Sequence, residues 1–370
     1  MNQDTRIAWL TLLSASGVGN AALRPLLAQF SSAEHIVNAS DALLSQSGLT
    51  SGQVHAIRDA DPARIANAQR WLQHERHDLI TINDTHYPDS LRELPDAPVA
   101  LFAVGDPTLL RMPSLAIVGS RNPTSGGADN AEQFARYIAG KGLAIVSGLA
   151  SGIDAAAHRG ALAANGATIA VLGNGPDQSY PASNRALQHD IGVHGLVLSE
   201  YLPGHPPGAG QFPARNRIIS GLSLGVLVVE ATKRSGSLIT ARMAGEPGRS
   251  VFAIPGSIHN PLARGCHQLI RQGALLVEQA DDIFLDLGAR LAPFVDDAEP
   301  ADDPQPVNEQ PEASEDYVKL LDSMGWDPVS VDTLATRTAL TAAELSSMLL
   351  ILELDGRVAS VPGGGFARCR

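Results

Sequence analysis

Cysteine is nearly absent from this 370-residue chain: Cys266 and Cys369 are too far apart in sequence to suggest a disulfide framework or a metal-ligand spacing. His259 and His267 flank Cys266 but leave a zinc set incomplete, so an incidental role is expected for them. Long apolar runs are lacking as well, and none approaches the roughly 20 residues of a membrane span. The opening MNQDTRIAWL has no basic-then-apolar export layout. These absences predict a reduced, cytoplasmic protein with no membrane contact, metal or cofactor.

An excess of positive charge is also missing. The formal net charge of −12 argues at first against a polyanionic partner. The placement of that charge weakens the objection. Nine acidic residues and no basic ones fall between Asp296 and Asp316, and without them the chain carries −3. Residues 113–285 hold 13 Lys/Arg against 11 Asp/Glu. Any phosphate site must then be a local basic pocket and not a basic face. The 44% hydrophobic content is enough for a sizeable core, and the length suggests two or three domains.

Residues 114–125, SLAIVGSRNPTS, are the stretch around which the rest is arranged. A short apolar run without alternation reads as a strand buried on both faces, hence parallel. It runs into Gly119, Ser120 and Arg121, then into a helical pattern. Such a turn opens backbone N–H groups to an anion at a helix N-terminus, and an arginine adds a planar donor suited to phosphate. The loop is read as holding a phosphate of a nucleic-acid backbone.

Residues 1–70 are helical in pattern with glycine punctuation at 16–20 and 47–50. Helix, glycine hairpin, helix is a layout that can bind duplex phosphates; equally, the glycines can simply make turns in a small helical domain. Lysine is absent there and the arginines are scattered. Residues 71–112 offer two strands, 79–82 and 99–103, expected to extend one sheet edge, and no chemistry is read in them. From 115 to about 287 strands and helices alternate, with strands expected at 115–118, 143–146, 168–172, 196–198, 226–229, 251–254 and 274–277. That alternation means an α/β fold with a Rossmann-like, doubly wound parallel sheet. Residues 292–316 are Pro/Asp/Glu/Gln-rich and read as a solvated linker. Beyond them, helices at 317–324, 331–337 and 341–354 precede a strand flap at 358–361 and a glycine tip, the order of a winged helix. Thr341 and Glu344 make a capping box for its third helix. That helix has no Lys or Arg, so a protein-interaction role is favoured over groove reading. The expected division is an N-terminal helical domain over 1–70, the extended sheet domain over 71–290, an acidic disordered linker over 291–316 and a winged helix over 317–370.

Ligands in doubly wound sheets bind beyond the carboxyl ends of the strands. Those positions carry Gly119, Ser120 and Arg121, then Ser147, Gly148 and Asp154, then 173–175 with Tyr180 and Pro181 beyond. Further on come Glu200, the FPARNR motif with Phe212, Arg215, Asn216 and Arg217, then Glu230, Lys233 and Ser235-Gly236-Ser237. Glycines admit a close backbone, serines donate, two helix starts point at the site, and arginines bridge phosphate oxygens. Phe212 offers a face on which a splayed base can stack. The bland alternative is that Arg215 and Arg217 pair with Glu200 and Glu230, and that Phe212 fills core. A dinucleotide site fails, because the turn is GSRNPTSGG and the second strand ends in Ser147-Gly148 without an acid. A nucleotide N-glycoside hydrolase using Glu200 or Glu230 stands as the runner-up. His158 reads as a packed histidine.

Taken together, AIVGSRNPT (116–124), SGLASGIDAAAH (147–158), FPARNRIISGLSLGVLVVEA (212–231) and SGSLITAR (235–242) closely resemble the DNA-processing protein A family, DprA or Smf. The flanks look like that family's N-terminal SAM-like or helix-hairpin-helix-like domain and its C-terminal winged helix. The resemblance implies a non-enzymatic protein of natural transformation that binds and shields incoming single-stranded DNA. It also implies help in loading the RecA recombinase and a homodimer formed through the Rossmann-like domain. By motif match the phosphate-binding arginine falls on Arg121, with Gly119 and Ser120 beside it. Further contacts fall on Ser147, Gly148, Arg215, Asn216, Arg217, Lys233, Ser235, Gly236 and Ser237, and the base-stacking aromatic is Phe212. One departure stands out. Relatives often carry a basic residue shortly before the FPxRNR motif, where residues 203–211 hold only His205. Lys233 or Arg234 is expected to compensate.

Overall fold

The computed structural model describes residues 1–295, 315–325, 328–338, 340–361 and 365–369. Most of the expected linker and the glycine tip at 362–364 lie outside the described residues. The chain divides into two compact units, Met1–Asp297 and Ala298–Arg370.

The first unit opens with six helices: α1 (Gln3–Ser14), α2 (Asn20–Phe30), α3 (Ala33–Asn38), α4 (Asp41–Gln46), α5 (Ser51–Arg58) and α6 (Pro62–Trp71). Local chemistry sets their starts. Ser32 and Ser40 side chains accept the N–H three residues on, Thr50 and Gln53 form a capping box, and Asp61 caps a helix whose first residue is Pro62. Gln53 Nε2 also donates to Gly17 O at 3.0 Å, joining the two glycine turns. Leu10, Leu23, Leu26 and Ile36 share one core with Leu79, Val99 and Phe102 of the sheet edge, so helices and sheet pack as one body. Asn20 ties the first glycine hairpin to that edge, accepting the Val99 N–H at 3.1 Å and donating to Glu200 at 2.5 Å.

Nine strands follow: β1 (His77–Thr81), β2 (Ala100–Gly105), β3 (Ser114–Val118), β4 (Ala144–Ser147), β5 (Thr168–Leu172), β6 (Leu196–Ser199), β7 (Gly225–Val228), β8 (Ser250–Ala253) and β9 (Leu275–Leu276). Their order is β1-β2-β6-β5-β4-β3-β7-β8-β9. The strands from β6 to β9 are parallel, and β1 and β2 add antiparallel to the β6 edge. Between them run α7 (Asp89–Arg92), α8 (Ser125–Gly140), α9 (Ile153–Ala163), α10 (Arg185–His194), α11 (Gln211–Leu222), α12 (Ser237–Gly245), α13 (Arg264–Arg271) and α14 (Ala280–Val295). Side chains alternate across the pleat: Leu115 and Ile117 pack under α8 and α9, while Ala116 and Val118 pack under α11 and α12. Both faces are buried, which is why the run lacks a polar alternate. The chain winds outward from β3 through β6 and then returns to lay β7 against the other side of β3. That reversal opens a crevice at the carboxyl ends of β3 and β7.

The second unit contains α15 (Glu315–Met324), β10 (Val329–Ser330), α16 (Val331–Thr338), α17 (Ala342–Leu354), β11 (Val358–Val361) and β12 (Gly365–Arg368). Three helices around Leu320, Leu334, Leu345 and Leu349 meet a small sheet ordered β10-β12-β11, a winged-helix arrangement. The Thr341–Glu344 capping box is formed at the start of α17.

Candidate functional site

A cleft of about 490 Å³ lies at the β3–β7 crevice. Its base is set by close backbone approach. Gly119 passes within contact of Ile153 and the Glu230 carbonyl, leaving no room for a Cβ, and Gly152 takes φ 81° so that the Ile153 N–H reaches Ser120 O at 3.1 Å. The start of α8 already faces an anion of the chain itself. The buried Glu230 carboxylate accepts from Thr124 N at 2.9 Å and Thr124 Oγ1 at 2.7 Å, so the protein supplies its own anion to that helix end. The expectation that the loop after β3 turns helix N–H groups toward phosphate is thereby corrected.

One wall is α11, and its helical period sorts the FPARNR motif. Phe212, Arg215, Asn216 and Ile219 are spaced i, i+3, i+4 and i+7, and all four line the cleft. Arg215 is 4% exposed; it donates to Gly148 O at 2.6 Å, to Val171 O, and to Asn216 Oδ1 at 3.0 Å. Burial pulls its pKa down to about 10 against the attraction of Asp154, so it stays charged at neutral pH. Burial pushes the Asp154 carboxyl up, and Arg215 and the Ala150 and Gly148 N–H groups pull it back. Among the described residues the second terminal nitrogen of Arg215 has no hydrogen bond within the chain, which leaves it available to a ligand.

Opposite, Arg121 is exposed, with its guanidinium carbon 5.5 Å from the Phe212 ring centroid. The Tyr180 ring stacks on Phe212 at 5.2 Å and 29°. An exposed cation–π contact is worth about 0.5–1 kcal/mol, whereas base–aromatic stacking is worth about 1–3 kcal/mol. A base can therefore displace the guanidinium from the ring and free it for a phosphate. Ser235, Gly236 and Ser237 form the third side at the start of α12, where the Ser235 hydroxyl accepts the Ser237 N–H at 3.3 Å.

Four expected contacts lie elsewhere. Arg217, two positions from Arg215, points to the opposite side of α11 and outside the cleft. It is locked to Glu200 at 2.6 Å, one of the two carboxylates the bland alternative named, and to Asp96 at 2.7 Å, which that alternative did not name. Burial lowers its pKa, but those carboxylates outweigh it, so the net shift is upward. Ser147 is fully buried and donates to Ile117 O at 2.6 Å; Gly148 lies beneath the Arg215 guanidinium, where a Cβ would collide. These two residues build the floor and do not line the cleft. Lys233 is exposed and lines a neighbouring groove with Arg234. Ser120 stays beside the cleft, its hydroxyl accepting the Asn122 N–H at 3.1 Å. Glu200 and Glu230 are both engaged internally, and neither lines the cleft, so the two carboxylates the runner-up names are not posed there; Asp154 does line it, accepting from the Gly148 and Ala150 N–H groups. Tyr180 received no role from the sequence; its place after β5 was the available signal. His158 is buried, bonded to Thr168 Oγ1 at 2.7 Å and held neutral by burial. Among the described residues no group of three or more His, Cys, Asp or Glu could hold a metal, and no helix is long and apolar enough to cross a membrane.

Known proteins share this architecture. A family model described as DNA recombination-mediator protein A matches residues 78–288, and one described as the DprA winged helix domain matches 302–364. The chain is 40% identical to Protein Smf of Escherichia coli over 98% of its own length and 95% of that protein. It is 50% identical to the DNA processing protein DprA of Streptococcus pneumoniae over 60% of this chain and 78% of the relative. The X-ray structure of the Streptococcus pneumoniae protein superposes with a TM-score of 0.69 at 42% identity, covering 76% of this chain and 97% of that one. A structure of DNA processing protein A from Helicobacter pylori, described for its single-stranded DNA binding mode, gives 0.52 at 32% identity over 58% and 97%.

Proposed function

Since the chain belongs to the DNA recombination-mediator protein A family, we propose that the cleft at the β3–β7 crevice is where it holds single-stranded DNA in a DNA-processing role. One observation carries the reading: Phe212, Arg215 and Asn216 on one face of α11 oppose Arg121 across an open cleft. Arg121 takes a phosphate, Arg215 charges the floor, and the Phe212–Tyr180 stack takes a base. Gly119, Ser120, Ser235, Gly236 and Ser237 supply the close backbone and hydroxyl donors around them, and Lys233 extends the positive field beside the cleft. The Helicobacter pylori structure supports single strands as the ligand. A duplex keeps its bases stacked away from Phe212, so unpaired DNA is preferred with little sequence discrimination.

The same reading assigns the protein a cytoplasmic, non-enzymatic part in natural transformation. It shields incoming strands, helps load RecA and works as a homodimer through the sheet domain. The acidic, apolar α17 exposes Leu350 and Ile351 and carries no Lys or Arg, which favours a protein partner for the winged helix. Fluorescence anisotropy with labelled oligothymidine tests the core of the proposal. Affinity is expected to fall with salt at a log–log slope of about −0.7 per phosphate contacted. Equal affinity for a duplex of the same length would refute it.

A further inference from the structure

Behind the loop that carries Tyr180, a second groove of about 550 Å³ runs along α10 to the β1–β2 edge. We propose that this groove is a second nucleotide subsite, entered by the same DNA strand after it passes Tyr180; the inference rests on the reading of the central cleft as a single-strand site. Continuity is the first argument. Ser179 lines the groove and Tyr180 lines the cleft, so adjacent residues, with Cα atoms about 3.8 Å apart, separate the two.

The second argument is chemical. Trp71 forms an aromatic wall with His77 stacked on it at 4.0 Å and 26°. Arg76 and Arg185 stand at the rim, which gives a base-stacking surface beside guanidinium groups that can meet phosphate. Two carboxylates share the lining: Asp177 accepts the Gly204 N–H at 2.7 Å, and Glu75 is exposed.

The third argument is that both arginines are poorly placed for folding alone. Arg76 sits at φ 77°, a conformation glycine or asparagine adopts with less strain. Arg185 opens α10, the helix end at which a cation is disfavoured. Among the described residues neither guanidinium has an ion pair or hydrogen bond within the chain. Their charges do not serve the fold, and a phosphate would use them.

The test compares labelled oligothymidines of about 5 and about 15 nucleotides, one able to fill the cleft alone and the other able to reach both sites. The double variant Arg76→Asn/Arg185→Ala is expected to bind the short oligomer like the parent and the long one about tenfold more weakly, with a log–log salt slope shallower by about 1.4. Arg121→Ala is expected to weaken both. If the double variant matches the parent at both lengths, or loses equally at both, the groove proposal is overturned while the Arg121→Ala arm still reports on the cleft. If Arg121→Ala changes neither, the cleft reading falls, and the groove falls with it. Photocrosslinking of bromodeoxyuridine in the long oligomer to Trp71 gives an independent readout; crosslinks confined to the central cleft would also overturn the proposal.

Discussion

Two arginines drawn into one motif-based site are expected to do opposite things, and substituting each by alanine separates them. Arg217 is 10% exposed in its side chain and meets Glu200, itself 16% exposed, at 2.6 Å. Removing one partner of a buried pair leaves an uncompensated charge and costs about 3–5 kcal/mol. Its other partner, Asp96, is 64% exposed and adds no more than about 1 kcal/mol. Spread over a unit spanning Met1–Asp297, with an unfolding entropy of about 2.1 cal/mol/K per residue, the loss lowers Tm by about 5–10 °C. Arg121 is exposed, and its contact with Phe212 is worth about 0.5–1 kcal/mol, so Arg121→Ala lowers Tm by less than about 2 °C. DNA binding reverses the ranking. Arg121→Ala weakens oligothymidine binding and makes the log–log salt slope shallower by about 0.7, the loss of one phosphate contact. Arg217→Ala, assayed well below its melting point, keeps that slope. Differential scanning calorimetry and salt-titrated anisotropy read both quantities. If Arg217→Ala melts like the parent yet loses a phosphate contact, the sorting of α11 into a cleft face and a buried ion-pair face is wrong.

Phe212→Ala is expected to cost about 1–3 kcal/mol of oligonucleotide affinity, and Phe212→Trp to retain most of it, because the ring's contribution is stacking; equal losses in both variants would argue against a stacked base. Glu230→Gln removes the carboxylate at the α8 start and should lower stability by about 1–2 kcal/mol in urea titrations while leaving anisotropy unchanged. Release of free base from nucleoside monophosphates by the parent but not by this variant would instead revive the hydrolase. His158 is neutral in the fold, its pKa depressed from the ordinary 6.5 to about 3 by burial. A depressed folded value means the stabilisation is complete above pH 6.5 and is lost as pH falls toward 3, at up to about 1.4 kcal/mol per unit. His158→Asn should flatten that acid limb in urea titrations at pH 7.5 and 5; an unchanged slope would show that other groups control it.

Much of the candidate site could be read from the residues because strand ends are marked locally. An unbroken apolar run followed by glycine says where a buried parallel strand stops, and Gly119 and Arg121 lie just past such a place, whereas Phe212 and Ser235 were marked by the FPARNR motif and the Ser-Gly-Ser helix start further along the loops after β6 and β7. Even the sorting of FPARNR was available: once residues 211–222 are taken as a helix, Phe212, Arg215 and Asn216 share a face that excludes Arg217. What escaped were groups whose role depends on a partner far away in sequence. Glu230 meets the start of α8 at Thr124, Ser147 is sealed by the carbonyl of Ile117, and Arg217 finds Asp96. Residues 71–77 carried no readable chemistry at all, because the groove beside Trp71 exists only where that turn packs against α10.

The amino-acid order by itself determined the alternation of strands and helices, the double burial of the central strands and the clustering of glycine, serine and arginine at their carboxyl ends. Those follow from nearest-neighbour periodicity and backbone preference, which need no knowledge of the distant chain. Tertiary structure alone decided which charges remain free for a ligand. Whether a guanidinium is free or neutralised depends on the carboxylate or carbonyl that folding brings within hydrogen-bond reach. By that criterion Arg121 stays open to solvent, Arg215 becomes the charged floor of the cleft, and Arg217 becomes part of the frame.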